Sequence, residues 1–359
     1  MHISNPSWIR HKGGVLSVDF HPSGLRLATC GAGNEQSSGL VVIWYVKPII
    51  SEKERRDQTC PRILHRIPFR ACVSCVRWST NGRYLACGGD DKLVVIWEGS
   101  YENEEHIRDE SYHERFRLEG HKADILHFEW SKNSKYLASC GLDHFVIVWD
   151  ALNLPERLVS LDVSRGGHDA PIKGLSWDPS TRFLATQAAD RSLRIWSVET
   201  WQCIEIIKEP FSESYQTTLF CRMDWSVDGD YLLVPCAKSA TTGFTVQIIR
   251  RKDWDTSKHL VAHANSITAV RACSKPVEYV DPDPEAKPQR KTCFAVGSRD
   301  KGITIWLSPD MDRPLRVLPN MFKHSVMDFS WHGYHLVACS MDGSIRSIMF
   351  NKDDIGRLI

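Results

Sequence analysis

Two sets of residues in this chain have the make-up of a nucleophile–base–acid relay. His121, Ser139 and Asp143 form one, and His168, Thr186 and Asp190 form the other. A hydroxyl beside a histidine that a carboxylate orients is the arrangement that activates an alcohol for attack. Cys72 and Cys75 add a CxxC, the spacing of a metal or redox pair. Both features have a structural reading. Each His–hydroxyl–Asp set ends on a tryptophan, Trp149 or Trp196, and the two sets share the same offsets. A buried Asp needs donors, and His, a hydroxyl and an indole N–H supply them, so these residues suit a structural network as well as a relay. The CxxC lies in Ala-Cys-Val-Ser-Cys-Val-Arg-Trp, which reads as a strand, where residues three apart face opposite sides. The sequence contains no GxSxG, P-loop, HExxH or GxGxxG motif. No catalytic residue, cofactor or metal is expected.

The elements that position these residues repeat. One set of tryptophans closes β-branched runs: Trp44, Trp97, Trp149, Trp196 and Trp306, with Ile249 and Ile348 in equivalent places. A second set ends a shorter run: Trp78, Trp130, Trp177, Trp225 and Trp331, with Phe20 in the first unit. The spacing is about 50 residues, the signature of a repeat array. Within each unit a short strand ends in an aromatic residue, and a polar turn follows. A strand such as Tyr-Leu-Ala-Cys comes next, then a turn bearing Asp91, Asp143, Asp190, Asp300 or Asp342. Short strands with regular turn signals are an all-β pattern. Seven units begin near His11, Phe69, His121, His168, Tyr215, His263 and Phe322. An open array would leave bare strand edges. The segment Ile3–Arg10 is therefore predicted to pair with residues 344–350 and close the ring, making residues 1–359 one domain.

The chain has 359 residues, 45 basic and 44 acidic side chains, and a net charge of +1. That balance excludes a protein that grips DNA by charge alone. No apolar run is long enough for a membrane helix, and the first residues do not read as a secretory signal. Twelve dispersed cysteines, many in apolar runs, fit buried free thiols in a reducing compartment. Three stretches exceed the repeat: 47–60, 98–119 and 274–292. Their Pro and charge predict exposed loops on the rim, any of which could dock a partner.

The Gly120-His121 and Gly167-His168 starts, together with the His–hydroxyl–Asp–Trp sets, resemble the WD-repeat family of β-propellers. A closer resemblance rests on the segments between. Residues 75–93 read Cys-Val-Arg-Trp-Ser-Thr-Asn-Gly-Arg-Tyr-Leu-Ala-Cys-Gly-Gly-Asp-Asp-Lys-Leu, and residues 295–301 read Ala-Val-Gly-Ser-Arg-Asp-Lys. Gln-Ile-Ile-Arg stands where unit five would carry its tryptophan, and unit six has a long insertion. With the N-terminal Trp-Ile-Arg-His, these are similar to the N-terminal propeller of the HIRA/Hir histone-chaperone family. The resemblance implies a seven-bladed WD-repeat propeller in the nucleus. It implies a non-enzymatic scaffold for replication-independent nucleosome assembly, chromatin organisation and transcriptional repression. The implied partner is a ubinuclein/Hpc2-type subunit, with histones met through the complex. The Asf-type chaperone is recruited in that family by a segment after the propeller, so it is not expected of this chain. A ubiquitin-ligase substrate adaptor and the propeller subunit of the replication-coupled chromatin assembly factor are the alternatives.

Partner contacts are sought among polar residues that the repeat leaves unexplained. Arg222 and Arg77 are long cations inside short inner strands, where each asks for a partner. Asp90 and Arg299 immediately precede repeat aspartates, on the turn that faces one rim. These four are the expected binding residues, with Lys173, Arg191 and Lys301 nearby in their repeats.

Overall fold

A computed structural model describes residues 1–11, 13–34, 37–100, 107, 109–214, 218–239, 243–279, 289–309 and 311–359. The start of unit five at Tyr215, residues 101–106 and 108 of the second long stretch, and 280–288 of the third lie outside the described residues. Among the described residues no helix is long and apolar enough to cross a membrane.

Each polar turn is fixed by its own side chains. Between the first two strands of the second unit, the Ser79 hydroxyl donates to Asn81 Oδ1 at 2.7 Å and accepts the Tyr84 N–H at 2.9 Å. Gly82 takes φ +76° there, and a Cβ would meet the His21 ring at 2.7 Å. Such turns fold the chain into seven four-stranded antiparallel sheets among the described residues. The third sheet shows the pattern: Ile125–Trp130 innermost, then Tyr136–Gly141, Val146–Asp150 and Arg157–Leu161. The other innermost strands are Val15–Phe20, Val73–Trp78, Ile172–Trp177, Asp224–Trp225, Ile267–Ala272 and Val326–His332. Adjacent innermost strands pack in sequence order, and the seventh packs on the first. We number the sheets as blades one to seven.

Apolar side chains fill the spaces between blades. Cys75, Val94 and Ile96 of blade two bury against Phe128, Leu137 and Trp149 of blade three. Comparable clusters occupy every other junction, including seven against one, where Met327, Val337 and Ile345 meet Val15, Val18 and Trp44. The seventh blade takes its outer strand from the N-terminus. His2, Ile3 and Ser4 pair with Met349, Ile348 and Ser347, and Arg10 bridges to Ser344.

The described parts of the three long stretches include helices and strands. Residues 47–60 form two short helices, Lys47–Ile50 and Glu52–Arg56, anchored by buried Pro48 and Ile49. Residues 98–119 contain the outer strand of blade two, Ser111–Leu118, and Glu110 is buried in an ion pair with Arg26. In the third stretch Val277–Tyr279 pairs with Gln289–Lys291 and, on its other side, with Arg357–Leu358 near the C-terminus. Residues 47–60 depart from the expected loop because charge density hid the apolar anchors Pro48 and Ile49 beside it.

Candidate functional site in the axial channel

The His–hydroxyl–Asp–Trp sets lie between the strands of single blades. His121 Nε2 and Trp149 Nε1 meet the Ser139 hydroxyl at 2.8 and 3.0 Å, and His121 Nδ1 meets Asp143 at 2.9 Å. His168, Thr186, Asp190 and Trp196 repeat this geometry at 2.8–2.9 Å. Burial pushes the Asp190 carboxyl up, but hydrogen bonds from His168 and Ser192 outweigh it and hold it at about 2. In blade six His263 and Trp306 converge on Thr304, at 3.0 and 2.8 Å. Thr304 lies directly across the ladder from Val296, which occupies the usual hydroxyl position. Among the described residues no group of three or more His, Cys, Asp or Glu is placed to hold a metal. Cys72 and Cys75 face different surroundings. Cys72 lines a surface pocket, and burial with nearby Asp90 pushes its thiol up to about 11, whereas Cys75 packs in the core against the Phe128 carbonyl.

The inner strands line the channel in layers. Six of them break register at the same point, between Val15 and Ser17, Val73 and Cys75, Ile125 and His127, Ile172 and Gly174, Ile267 and Ala269, and Val326 and Asp328. A bulge inserts one residue and re-aims side chains. The inserted Leu16, Ser74, Leu126, Thr268 and Met327 all line one mouth.

Below this layer the channel is plugged by charge. Asp328 accepts from the Arg77 guanidinium at 2.8 Å and the Ser17 hydroxyl at 2.7 Å, and Arg222 Nε stands 3.8 Å away. Burial would raise the Asp328 carboxyl, but the fields of Arg77, Arg222 and Arg271 hold it far below its ordinary range. Arg222 also donates to the carbonyls of Leu16, Met327 and Ser74 at 2.7–2.9 Å. Only 1% of Arg222 and 4% of Arg77 is exposed. Neither stands on the exposed rim. The expectation of exposed partner contacts is corrected for both, because their terminal nitrogens bond Asp328 and inward carbonyls, although Arg77 also lines the cavity at the far end of the channel.

At the other end lies a cavity of about 620 Å³, lined by Asp19, Glu129, Asp224 and Arg271 among tryptophans. These carboxylates stitch neighbouring blades. Asp19 accepts the Trp78 N–H at 2.9 Å, Glu129 that of Trp177 at 3.2 Å, and Asp224 that of Ala272 at 2.9 Å. Burial pushes the Asp19 and Glu129 carboxyls up despite the nearby cations.

The first mouth is different. It is an apolar pocket of about 310 Å³, and Asp90 from blade two and Arg299 from blade six both line it. Both are exposed. Leu16, Leu126, Phe220 and Met327 form its walls, with Leu219 and Met341 exposed at 54% and 48%. Met341 precedes Asp342 just as Asp90 precedes Asp91 and Arg299 precedes Asp300. Met341 thus shares the rim position of the two charges, and an apolar side chain there gives no sign in the sequence of being exposed. Leu219 had no signal in the sequence, since no repeat position predicts its exposure.

The sequence family is now decidable. A family model described as the CAF1B/HIR1 beta-propeller domain matches residues 1–355. The chain belongs to this family. Relatives of this CAF1B/HIR1 propeller include protein HIRA of Caenorhabditis elegans, 36% identical over 100% of this chain and 38% of that protein. Human protein HIRA is 40% identical over 99% of the chain and 36% of that protein. Protein HIR1 of Cryptococcus neoformans is 34% identical over 99% of the chain and 40% of its own length. The chain thus spans well under half the length of these relatives.

Proposed function

We propose that this CAF1B/HIR1 propeller is the docking module of a nuclear histone-chaperone scaffold. It serves replication-independent nucleosome assembly, with roles in chromatin organisation and transcriptional repression, and it acts by binding rather than catalysis. The observation that carries the reading is the open mouth: an apolar pocket with Asp90 and Arg299 on its rim, whereas the cavity at the other end is lined by carboxylates and arginines already paired with one another or with backbone. A site of that kind takes the apolar side chain of an extended peptide, while rim charges fix its direction. The occupant we assign is a segment of a ubinuclein/Hpc2-type subunit, and histones are reached through the complex. The identity to HIRA and HIR1 proteins over the whole chain supports the histone-chaperone reading, and the partner is assigned on the sequence resemblance alone.

The family description also names CAF1B, which favours a second reading: a propeller of the replication-coupled assembly factor. The test is capture from nuclear extract on the tagged chain and on its Met341→Asp variant. Retention of a ubinuclein-type subunit by the wild-type chain, lost in the variant, supports the first reading. Retention of the replication-coupled factor's subunits supports the second. Ubiquitin-ligase subunits in their place overturn both.

A further inference from the structure

The stretch Thr218–Arg222 enters blade five in an unusual way. Its last residue, Arg222, lies outside the antiparallel ladder of its own blade and pairs in parallel with Ala269 on the inner strand of blade six. The Arg222 N–H donates to the Thr268 carbonyl at 3.2 Å, and the Val270 N–H donates to the Arg222 carbonyl at 2.7 Å. On the other side the Cys221 N–H donates to the Lys173 carbonyl at 3.1 Å. This path folds Cys221 against Cys236, in the second strand of blade five, with 2.6 Å between the sulfurs. Cys236 stands at φ +66°, inside the irregularity that interrupts the ladder between Val234 and Ala237. Thr218 Oγ1 lies 3.4 Å from the Cys221 sulfur and 3.0 Å from that of Cys236.

We propose that Cys221 and Cys236 are a dithiol site that a hydroperoxide oxidises to a disulfide. The two thiols are unequal. Burial pushes Cys221 up, but hydrogen bonds from Cys236 and Thr218 and the charge of Lys173 outweigh it, so its thiol lies below the ordinary value. The hydrogen bond with Cys221 and burial push Cys236 well up. Burial also raises Cys30, Cys87, Cys140, Cys293 and Cys339. The backbone path sets Cys221 against blade four, where its N–H bonds the Lys173 carbonyl at 3.1 Å and its sulfur lies in the field of that lysine, and this placement makes Cys221 the nucleophile. Its thiolate attacks a peroxide oxygen; an S–O bond forms, the O–O bond breaks, and hydroxide leaves to become water. The Cys236 sulfur then attacks the sulfenic sulfur and gives up its proton. An S–S bond forms, the S–O bond breaks, and a second water leaves. In sum, two thiols and one hydrogen peroxide give one disulfide and two waters. The oxidant has a route, because Thr218 lines the apolar mouth and also touches both sulfurs.

The consequence is local. The disulfide ties the stretch that carries Leu219 and Phe220, two walls of the mouth, to the second strand of blade five. The site stands whether or not the mouth holds the partner assigned above.

The experiment treats the full chain with stoichiometric hydrogen peroxide, caps remaining thiols in denaturant, and maps tryptic peptides without reductant. Cleavage after Arg222 separates the two cysteines. The expected result is a linked Cys221–Cys236 pair that dithiothreitol releases, formed on the order of tenfold faster than Cys60, Cys72 or Cys203 is oxidised. Cys236→Ser should leave a sulfenic acid on Cys221 that dimedone traps, and Cys221→Ser should leave none on Cys236. If both thiols stay fully cappable while Cys60, Cys72 or Cys203 oxidises, the proposal fails. Dimedone on Cys236 but not Cys221 would equally overturn the assignment. The wild-type map decides the matter even if a variant does not fold.

Discussion

Arg222 of blade five reaches across the channel to stand 3.8 Å from Asp328 of blade seven. Its two terminal nitrogens bond the carbonyls of Leu16, Ser74 and Met327, which belong to blades one, two and seven. One side chain therefore joins the fifth blade to three blades that are not its neighbours. The two-residue inner strand of blade five is what permits this, since the preceding residues leave the ladder and approach the axis.

Removing that brace is costly. Arg222→Ala leaves three inward carbonyls without their donor and Asp328 with one fewer cation. Breaking a buried ion pair from one side costs about 3–5 kcal/mol. Arg77 still holds Asp328, so the lower end of that range is expected. The denaturant midpoint should fall accordingly, without a change in slope. A variant as stable as the wild type would show that the brace carries no net stability.

The mouth makes the opposite prediction. Arg299→Glu and Met341→Asp change exposed side chains, and surface substitutions of this kind stay within about 0.5 kcal/mol. Capture of the partner should fall at least about tenfold, because an apolar anchor in a pocket carries most of a binding energy. Calorimetry with the captured segment reads the affinity, and a melting curve reads the stability. Loss of both together would mean that these residues belong to the fold instead.

The seven units were legible because tryptophans and turn aspartates recur at one period, and a repeat constrains strand type, order and pairing together. The N-terminal strand followed from the same logic, since the seventh unit lacked an outer partner. Arg222 was visible as an anomaly but misread. A cation in a strand signals a buried counter-charge or an exposed contact alike, and sequence does not show that Asp328, 106 positions later (328 − 222), lies at the same depth. The Cys221–Cys236 contact was hidden for the same reason: it depends on a stretch that leaves its own blade for the next.

Blade six tests how far the hydrogen-bonded sets tolerate relocation. Thr304 supplies from the third strand the hydroxyl that Ser139 and Thr186 supply from the second. Thr304→Val keeps the shape and removes the hydroxyl, leaving His263 Nε2 and the Trp306 indole N–H without partners. An orphaned buried polar group costs about 1–3 kcal/mol. Restoring a hydroxyl across the rung with Val296→Thr should recover part of that loss in the double variant. No recovery would mean that the position on the rung matters, and not only the presence of a hydroxyl.

Buried histidines set the response to acid. Burial lowers His11 and His21 to about 4, against partial compensation from hydrogen bonds to Ala32 and Gly82, and lowers His335 to about 3. In the unfolded chain each titrates near 6.5. Between about pH 6.5 and pH 4 the unfolded chain therefore binds more protons than the folded one, and stability falls as pH falls. Above that window these groups are neutral in both states and their contribution is complete. Asp190 acts lower down. Its folded value of about 2 lies below the unfolded value near 3.9, so its stabilisation is full above pH 4 and is lost toward pH 2. The denaturant midpoint should be highest near pH 7, fall toward pH 8 as thiols that burial keeps protonated in the fold ionise in the unfolded chain, and decline on the acid side through pH 5. His11→Gln, which has no proton to gain, should flatten that decline, lowering the midpoint more at pH 7, where the bond of His11 to Thr29 contributes in full, than at pH 5. A midpoint that stays constant from pH 7 to pH 4.5 in the wild-type chain would show that the buried imidazoles are protonated with little cost.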